Sequence, residues 1–239
     1  MATLRYLGQA GYLLQSGGKT AVIDPYLSNS VVKLDARFPR LLPLPMDPRE
    51  LKADYFVVTH DHADHLDPET ILAYRHTADT LFIAPRHAAR HLREMGVPQA
   101  NLRVVDHGDH LSLPGMEITG VFAMGTEKEV LDTTGYLFAL EEGKTVYHTS
   151  DTGMCKLLLA ACPQEADVML CCINGKDGNL TIDEALELAR AVRPRYVIPN
   201  HYDMMALVGE NPLAFAYAHE AQGAPGICKI MELNEIFSF

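Results

Sequence analysis

The sequence predicts an α/β fold, more closely α+β, in which short strands and hairpins alternate with helices in both halves of the chain. Short apolar segments bounded by glycine, proline or aspartate have the composition of strands. Between them lie longer segments with apolar residues at helical spacing. The chain has 239 residues, of which 48% are hydrophobic. This size suits one large domain, and we expect residues 1–239 to form it.

The first half begins with predicted strands that glycine turns connect into a hairpin. The strands in this half are predicted at residues 3–7, 12–15, 20–23, 55–58 and 81–84. Asp67 and Pro68 predict a helix that runs to about residue 75, and Pro85 and Gly96 delimit the next one. Prolines crowd residues 31–50, which predicts a long ordered loop placed where it can cover a pocket.

The second half repeats the alternation of strands and helices. Its strands are predicted at residues 103–105, 111–113, 116–122, 135–140, 145–149, 168–173, 196–199 and 227–233. Its helices are predicted at residues 154–161, 182–192 and 211–221. Thr181 and Glu184 have the spacing of a capping box, which supports the start of the second of these helices.

One predicted strand leads directly into a group of potential metal ligands. Residues 55–58 are apolar or aromatic, and His60, His62, Asp64 and His65 follow. Side chains alternate along an extended segment, so His60 and His62 point the same way. Single histidines on a loop are usually solvated, but this group predicts a site for zinc, manganese or iron.

Polar residues also follow three other predicted strands, and each has a simpler interpretation. Asp24 precedes a proline and could be a turn former. Asp151 could cap the helix at 154–161, and His201 could be a satisfied polar residue. Beside the first group, the metal-ligand interpretation leads for Asp151 and His201. His148 is either a core histidine or a partner of the ligands.

Several of these stretches resemble a known family. His-x-His-x-Asp-His at residues 60–65 resembles the signature of the metallo-β-lactamase fold superfamily. Leu-Gly-Gln-Ala-Gly-Tyr at 7–12 and Ile-Asp-Pro-Tyr at 23–26 resemble its L-ascorbate-6-phosphate lactonase-like branch. Ser-Asp-Thr at 150–152 and Ile-Pro-Asn-His-Tyr at 198–202 extend the resemblance over essentially the whole chain. It implies a four-layer αββα sandwich of two mixed sheets flanked by helices.

The resemblance also implies a ligand set for one or two divalent ions, zinc or manganese first and iron as a further option. One ion would be held by two residues of the first stretch, the other by three residues, and a carboxylate would lie between them. The implied ligands are His60 and His62 for one ion, Asp64, His65 and His201 for the other, and Asp151 as the bridge. Asp64 and His201 are the implied catalytic residues, and Asp24 would lie under the ligands.

One departure from the family pattern concerns the ion at His60 and His62. The superfamily usually has a further histidine after the strand at 116–122, and Gly125 stands near that place. The position is therefore a ligand short unless Glu127, His107 or His110 substitutes. The alternative interpretation of His107 and His110 is that they are polar residues on a loop between strands.

The implied activity is metal-dependent hydrolysis. A bound metal lowers the pKa of water from about 15.7 toward about 7, which suits attack on a small ester, a lactone or a phosphorylated compound. The alternatives are a phosphodiesterase or nuclease-like enzyme and a non-catalytic metal-binding protein. The net charge of −11 and the lack of a run rich in lysine and arginine argue against nucleic-acid binding.

The expected partner is a small molecule, which could be anionic. Arg37, Arg40 and Lys176 could contact such a molecule, although solvation of the arginines is the favoured interpretation. No apolar run approaches the roughly 20 residues of a membrane span. The chain begins without the pattern of a signal peptide, and its five cysteines lack Cys-x-x-Cys spacing. We expect free thiols and a cytoplasmic protein, with a homo-oligomer left open.

Overall fold

The computed structural model describes residues 1–125 and 132–239. In these residues the strands are β1 Thr3–Gly8, β2 Gly11–Ser16, β3 Lys19–Ile23, β4 Tyr55–Val57, β5 Leu81–Ala84, β6 Leu102–Val104, β7 His110–Leu113, β8 Met116–Phe122, β9 Thr134–Leu140, β10 Thr145–His148, β11 Val168–Cys172, β12 Tyr196–Asn200, β13 Ile227–Cys228 and β14 Ile236–Ser238. The helices are α1 Ser30–Leu34, α2 Pro68–Ala73, α3 Arg86–Glu94, α4 Lys156–Ala161, α5 Ile182–Val192 and α6 Pro212–Ala221, with a 3-10 turn at Gln99–Asn101.

Two mixed sheets form the centre of the fold. Within the described residues each sheet has seven strands, in the orders β14-β1-β2-β3-β4-β5-β6 and β13-β12-β11-β10-β9-β8-β7. Apolar side chains from both sheets, among them Tyr6, Val57, Phe138 and Leu170, form a common core. The sheets therefore pack face to face, as expected when each has one apolar surface to bury.

Helices cover the two outer faces of the sandwich. Ile71 of α2 and Leu92 of α3 pack in one cluster with residues of the first sheet. Leu158 of α4, Leu186 of α5 and Phe215 of α6 pack in another with residues of the second sheet. The predicted αββα architecture of two mixed sheets flanked by helices is confirmed.

The predicted helix starts follow from local hydrogen bonds. The Asp67 carboxylate accepts from the backbone N–H of Glu69, and Pro68 occupies the first helical position. Thr181 and Glu184 form the predicted capping box. In contrast, α4 begins later than predicted, with Cys155 as its N-cap. The Asp151 side chain is therefore not the cap of α4, and the simpler interpretation of this residue is wrong.

Two parts of the chain differ from the sequence prediction. The loop predicted at 31–50 contains the end of α1. The strand predicted at 227–233 is shorter than expected, because β13 covers only Ile227–Cys228, where it pairs with β12. A strand that was not predicted, β14, lies beyond it and pairs with β1 in the other sheet. Apolar residues continue between them, so the pattern did not show where the chain changes its hydrogen-bonding partner.

The strand directions bring several carboxyl ends to one edge of the sandwich. In the first sheet β1 and β3 are both antiparallel to β2, and β4 is parallel to β3. In the second sheet β10, β11 and β12 are parallel.

All five cysteines are free. The described part of the chain contains no helix with the length and apolar character to cross a membrane.

Candidate metal centre

Four strands end in residues with left-handed backbone at the same edge. The φ angles are +56° at Gln9, +41° at Asp24, +61° at Ser150 and +60° at His201. This conformation is uncommon for residues other than glycine and costs about 1–3 kcal/mol, so it concentrates at functional sites. Each sharp turn directs a side chain, its own or that of its neighbour, towards the space between the sheets.

The first group of converging side chains is His60, His62 and Asp151. The Nε2 atom of His60 lies 2.9 Å from Nδ1 of His62. One potential ligand atom from each of the three residues lies within 4.8 Å of the others. His60 and Asp151 are buried, and His62 is partly exposed. The two histidines come from the loop after β4 and the carboxylate from the end of β10, so the group joins the two sheets.

The second group is Asp64, His65 and His201, whose ligand atoms also lie within 4.8 Å of one another. The Nε2 atoms of His65 and His201 are 3.2 Å apart. Asp151 reaches this group as well, because its Oδ1 lies 2.9 Å from Nε2 of His201 and 3.6 Å from Nε2 of His65. The structure therefore brings all six predicted ligands together, with Asp151 between the two groups.

Asp24 lies beneath both groups and orients their imidazole rings. It is fully buried, and its Oδ2 lies 2.8 Å from Nδ1 of His65. The same oxygen accepts from the Thr59 hydroxyl at 2.6 Å, and that hydroxyl lies 3.0 Å from Nδ1 of His60. With a proton on each Nδ1 atom, the Nε2 atom of each ring is the nitrogen that faces the site and that a metal ion would take in place of a proton.

The charges of the site favour a cation at its centre. Burial lowers the pKa of His65, but nearby carboxylates outweigh burial and raise it to about 10. These carboxylates belong to Asp151, Asp64 and Asp24. Burial raises the pKa of Asp64 and of Asp151, but His201 and His65 outweigh it and keep the pKa of each low. Burial holds the pKa of His60 well below its usual value, so this ring is neutral.

The residues present fit one or two divalent transition-metal ions. Oδ1 of Asp151 is buried and has no hydrogen-bond partner among the described residues, although imidazole nitrogens surround it. An unpartnered buried carboxylate oxygen is costly unless a cation satisfies it. Imidazole and carboxylate together are the donors of zinc, manganese and iron sites.

Comparison with known proteins agrees with this geometry. The sequence model of a protein family, the β-lactamase superfamily domain, matches residues 19–202. A protein of Pyrobaculum islandicum named UPF0173 metal-dependent hydrolase is 30% identical over 220 residues, which are 91% of this chain and 92% of the relative. The chain belongs to the β-lactamase superfamily. Because the chain belongs to this superfamily and its relatives are named metal-dependent hydrolases, the protein is a metal-dependent hydrolase, as the resemblance implied.

Solved structures of the superfamily share the fold. A metallo hydrolase from the archaeon Ignicoccus hospitalis superimposes with a TM-score of 0.77 at 24% identity, and the match covers 100% of this chain and 99% of that one. A metallo-β-lactamase fold protein from Bacillus subtilis gives a TM-score of 0.71 at 15% identity over 99% and 98% of the two chains. At these identities the likeness concerns the fold, and the lactonase-like branch stays a prediction.

The structure also bears on the missing superfamily histidine. The His107 ring packs edge-on against Phe122, and His110 lies beside Thr119 and Glu117 at the surface. Neither belongs to a group of potential ligands in the described part of the chain. The suggestion that one of them substitutes is therefore wrong. Glu127 lies outside the described residues. Asp151 gives the His60–His62 position its third ligand atom.

His148 is a core histidine that supports the turn carrying Asp151. Its ring is buried. Nδ1 accepts from the backbone N–H of Ser150 at 3.0 Å, and Nε2 lies 3.0 Å from the Ala10 carbonyl oxygen, to which it donates. Burial lowers the pKa of His148, so the ring remains neutral and keeps both hydrogen bonds. It thereby links the turn at β10 to the turn between β1 and β2.

Two residues at the site were missed by the sequence reasoning. Gln9 Nε2 donates to Asp64 Oδ2 at 2.7 Å and lies 3.2 Å from Nδ1 of His201. Asn179 Nδ2 donates to Asp151 Oδ2 at 2.7 Å. Gln9 lies within the Leu-Gly-Gln-Ala-Gly-Tyr stretch that carries the resemblance, but the sequence alone gives it no contact with the ligands. Asn179 carries no motif signal, because its role depends on how close its loop comes to Asp151.

A pocket opens beside both groups of ligands. It holds about 670 Å³ including its open mouth, and it exposes His62, Asp64, Asp151 and His201. Its remaining walls are mostly apolar or carry amides, from Val31, Phe38, Ala63, Met205, Val208, Asn174, Asn179 and Asp177. Val31 and Phe38 come from the segment at 31–50, which therefore lies where it was expected to cover a pocket.

The three basic residues considered as anion contacts lie elsewhere. Arg37 is exposed and pairs with Asp35 at 2.6 Å, so its expected solvation is confirmed. Arg40 is partly buried. Its guanidinium donates to the carbonyls of Tyr26 and Leu42, so solvation was the wrong interpretation for this residue. Lys176 is exposed, and the lining of the pocket includes none of the three.

We expect removal of metal by a chelator to lower the thermal stability of the protein. Without a cation, three carboxylates and four imidazoles share one buried space, and binding to the native state alone adds stability by mass action. At a free-ion concentration 100 times the dissociation constant, the gain is about 2.7 kcal/mol. Differential scanning calorimetry before and after chelation, and after return of Zn²⁺, measures it. An unchanged melting temperature throughout would contradict this expectation.

Proposed function

We propose that this hydrolase cleaves a small, uncharged ester or lactone with an apolar group beside the bond that is broken. The single observation that supports this most directly is the composition of the pocket. Val31, Phe38, Met205 and Val208 make one wall apolar, and the ligand groups lie at its base.

In this proposal His60, His62 and Asp151 hold one divalent ion, and Asp64, His65 and His201 hold the other, with Asp151 shared. Zinc and manganese are the first choices and iron is a further one. When bound, such ions acidify water and polarise the carbonyl group of the substrate. Asp24 and Thr59 keep His65 and His60 in the tautomer that binds metal.

Asp64 has a second role as the residue that accepts a proton from the attacking water. It lines the pocket, and the nearby His65 and His201 keep its pKa low, so it is ionised. Gln9 holds one oxygen of this carboxylate by a 2.7 Å hydrogen bond. Fixing the orientation of a proton acceptor is a recognised contribution to rate, because proton transfer requires hydrogen-bond geometry.

The charges around the pocket argue against a phosphorylated substrate. No lysine or arginine lines the pocket in residues 1–125 and 132–239, whereas Asp177 lines it with a carboxylate. Enzymes that recognise phosphate groups usually supply arginine, lysine or backbone N–H groups for the oxygens remote from the reaction. The carbonyl substrates are therefore better supported than a phosphodiester or a sugar phosphate.

A substrate panel tests this proposal. Protein loaded separately with Zn²⁺ and Mn²⁺ is assayed with short aliphatic esters, γ- and δ-lactones, a phosphosugar lactone and bis(p-nitrophenyl) phosphate. We expect kcat/KM for an uncharged ester or lactone to exceed that for either phosphorylated compound by at least about tenfold, or roughly 1.4 kcal/mol. A clear preference for a phosphorylated compound would overturn the proposed substrate class, and no metal-dependent hydrolysis of any compound would oppose the proposal as a whole.

A further inference from the structure

A separate group of metal-ligating side chains lies behind the loop that carries the first two histidines. Asp61 stands between His60 and His62 in the sequence, and its side chain meets helix α3 instead of the candidate metal centre. His87 and His91 are four residues apart on α3, so they lie on the same face of the helix. No step of the proposed hydrolysis uses any of these three residues.

The three side chains converge as closely as those of the candidate metal centre. Nδ1 of His87 lies 3.0 Å and Nδ1 of His91 lies 3.1 Å from the same oxygen of Asp61, Oδ2. The ring centroids of the histidines are 4.7 Å apart. All three ligand atoms lie within 4.8 Å of one another.

The burial of this group adds an independent observation. The side chains of Asp61 and His87 are 10% and 26% exposed. Nδ1 of His87 is covered and has no hydrogen-bond partner among the described residues, despite its 3.0 Å approach to Asp61. Oδ1 of Asp151 is likewise covered and without a hydrogen-bond partner among the described residues. A covered donor atom beside an oxygen that it does not hydrogen-bond is the arrangement expected of ligands around an ion.

We propose that Asp61, His87 and His91 bind a further divalent transition-metal ion, separate from the centre shared by the superfamily. Two imidazole nitrogens and one carboxylate oxygen suit zinc, and the partly exposed side of the group leaves room for water as a fourth ligand. The ion would fasten the loop between His60 and His62 to helix α3. It would therefore hold those two histidines from the side opposite the pocket.

Arg90 competes with this ion and provides a directional test. Its Nη2 lies 2.6 Å from Nε2 of His87 and 3.3 Å from Nε2 of His91. A guanidinium can only donate, so it favours the tautomer with the proton on Nδ1. Metal at Nδ1 requires the proton on Nε2, and Arg90 must then turn away. Glu94, 3.8 Å from its Nε, offers an alternative partner.

The test is a count of bound Zn²⁺ in the full-length protein after dialysis at a fixed free-zinc concentration. We expect the wild type to hold one more ion per chain than the variant His87→Ala/His91→Ala. The matched control His107→Ala/His110→Ala removes two surface histidines that belong to none of the ligand groups, and it should keep the wild-type count. An equal count in all three proteins would overturn the proposal.

Two further variants keep the proposal testable if the double variant does not fold. His91→Gln should lose the extra ion, and retention of that ion would count against the site. Arg90→Ala should bind the extra ion more tightly, by about tenfold, because the variant lacks both the donor that favours the competing tautomer and a positive charge beside the site. Titration with Co²⁺, followed by its visible absorption, measures this shift, and unchanged affinity in Arg90→Ala would also refute the assignment. None of these readouts depends on hydrolysis.

Discussion

Asp151→Asn is expected to reduce kcat/KM for hydrolysis by at least about a thousandfold. Asp151 links the two groups, with Oδ1 2.9 Å from Nε2 of His201 and a place in the group of His60 and His62. Asparagine has nearly the same shape but no charge, so the change tests the bridge without emptying space in the core. We expect the metal content to fall in parallel.

Asp177→Asn is the matched control for this prediction. Asp177 lines the same pocket and is exposed, but it belongs to neither ligand group. Its substitution should change kcat/KM by less than about tenfold.

His62→Ala should abolish hydrolysis as Asp151→Asn does, with the circular dichroism spectrum of the wild type retained. Wild-type turnover in either His62→Ala or Asp151→Asn would refute the ligand assignment.

The second large effect is expected from Asp24→Asn. This carboxylate is fully buried and accepts from the backbone N–H and the hydroxyl of Thr59 at 2.8 and 2.6 Å. It also holds the His65 ring at 2.8 Å. An amide would place a donor against donors and lose the charge. We expect metal affinity to fall by about 10–100-fold and the free energy of unfolding to fall by about 1–3 kcal/mol.

Isothermal titration with Zn²⁺ and chemical denaturation of the chelated protein separate these two effects. Asp67→Asn is the control, because Asp67 is also buried and accepts from Ser28 and Thr70 at the start of α2. Its loss should destabilise the fold and leave zinc affinity within about threefold of the wild type. If Asp24→Asn and Asp67→Asn affected zinc affinity equally, Asp24 would have no special connection to the metal centre.

Much of this fold follows from local chemistry. The capping box of Thr181 and Glu184 and the Asp67–Pro68 start could be recognised from sequence because helix termini need partners for unpaired N–H groups, and those partners are neighbours in the chain. The hairpin of β7 and β8 follows in the same way from its turn at Pro114 and Gly115. The end of β13 after Cys228 and the pairing of β14 with β1 could not be predicted, since a strand pattern does not state which sheet it joins.

The candidate site shows the same division. The grouping of His60, His62, Asp64 and His65 can be recognised from the amino-acid order alone, because these residues lie on one short loop after a buried strand. The sequence also indicated Asp151 and His201, because each follows a predicted strand and lies in a motif that resembles the family. The contacts between segments that are remote in the chain, in contrast, become visible only in the folded protein. Gln9 reaches Asp64, Asn179 reaches Asp151, and Asp61 meets His87 and His91. Such contacts depend on how two sheets and a helix pack together, and no local pattern of residues encodes that distance.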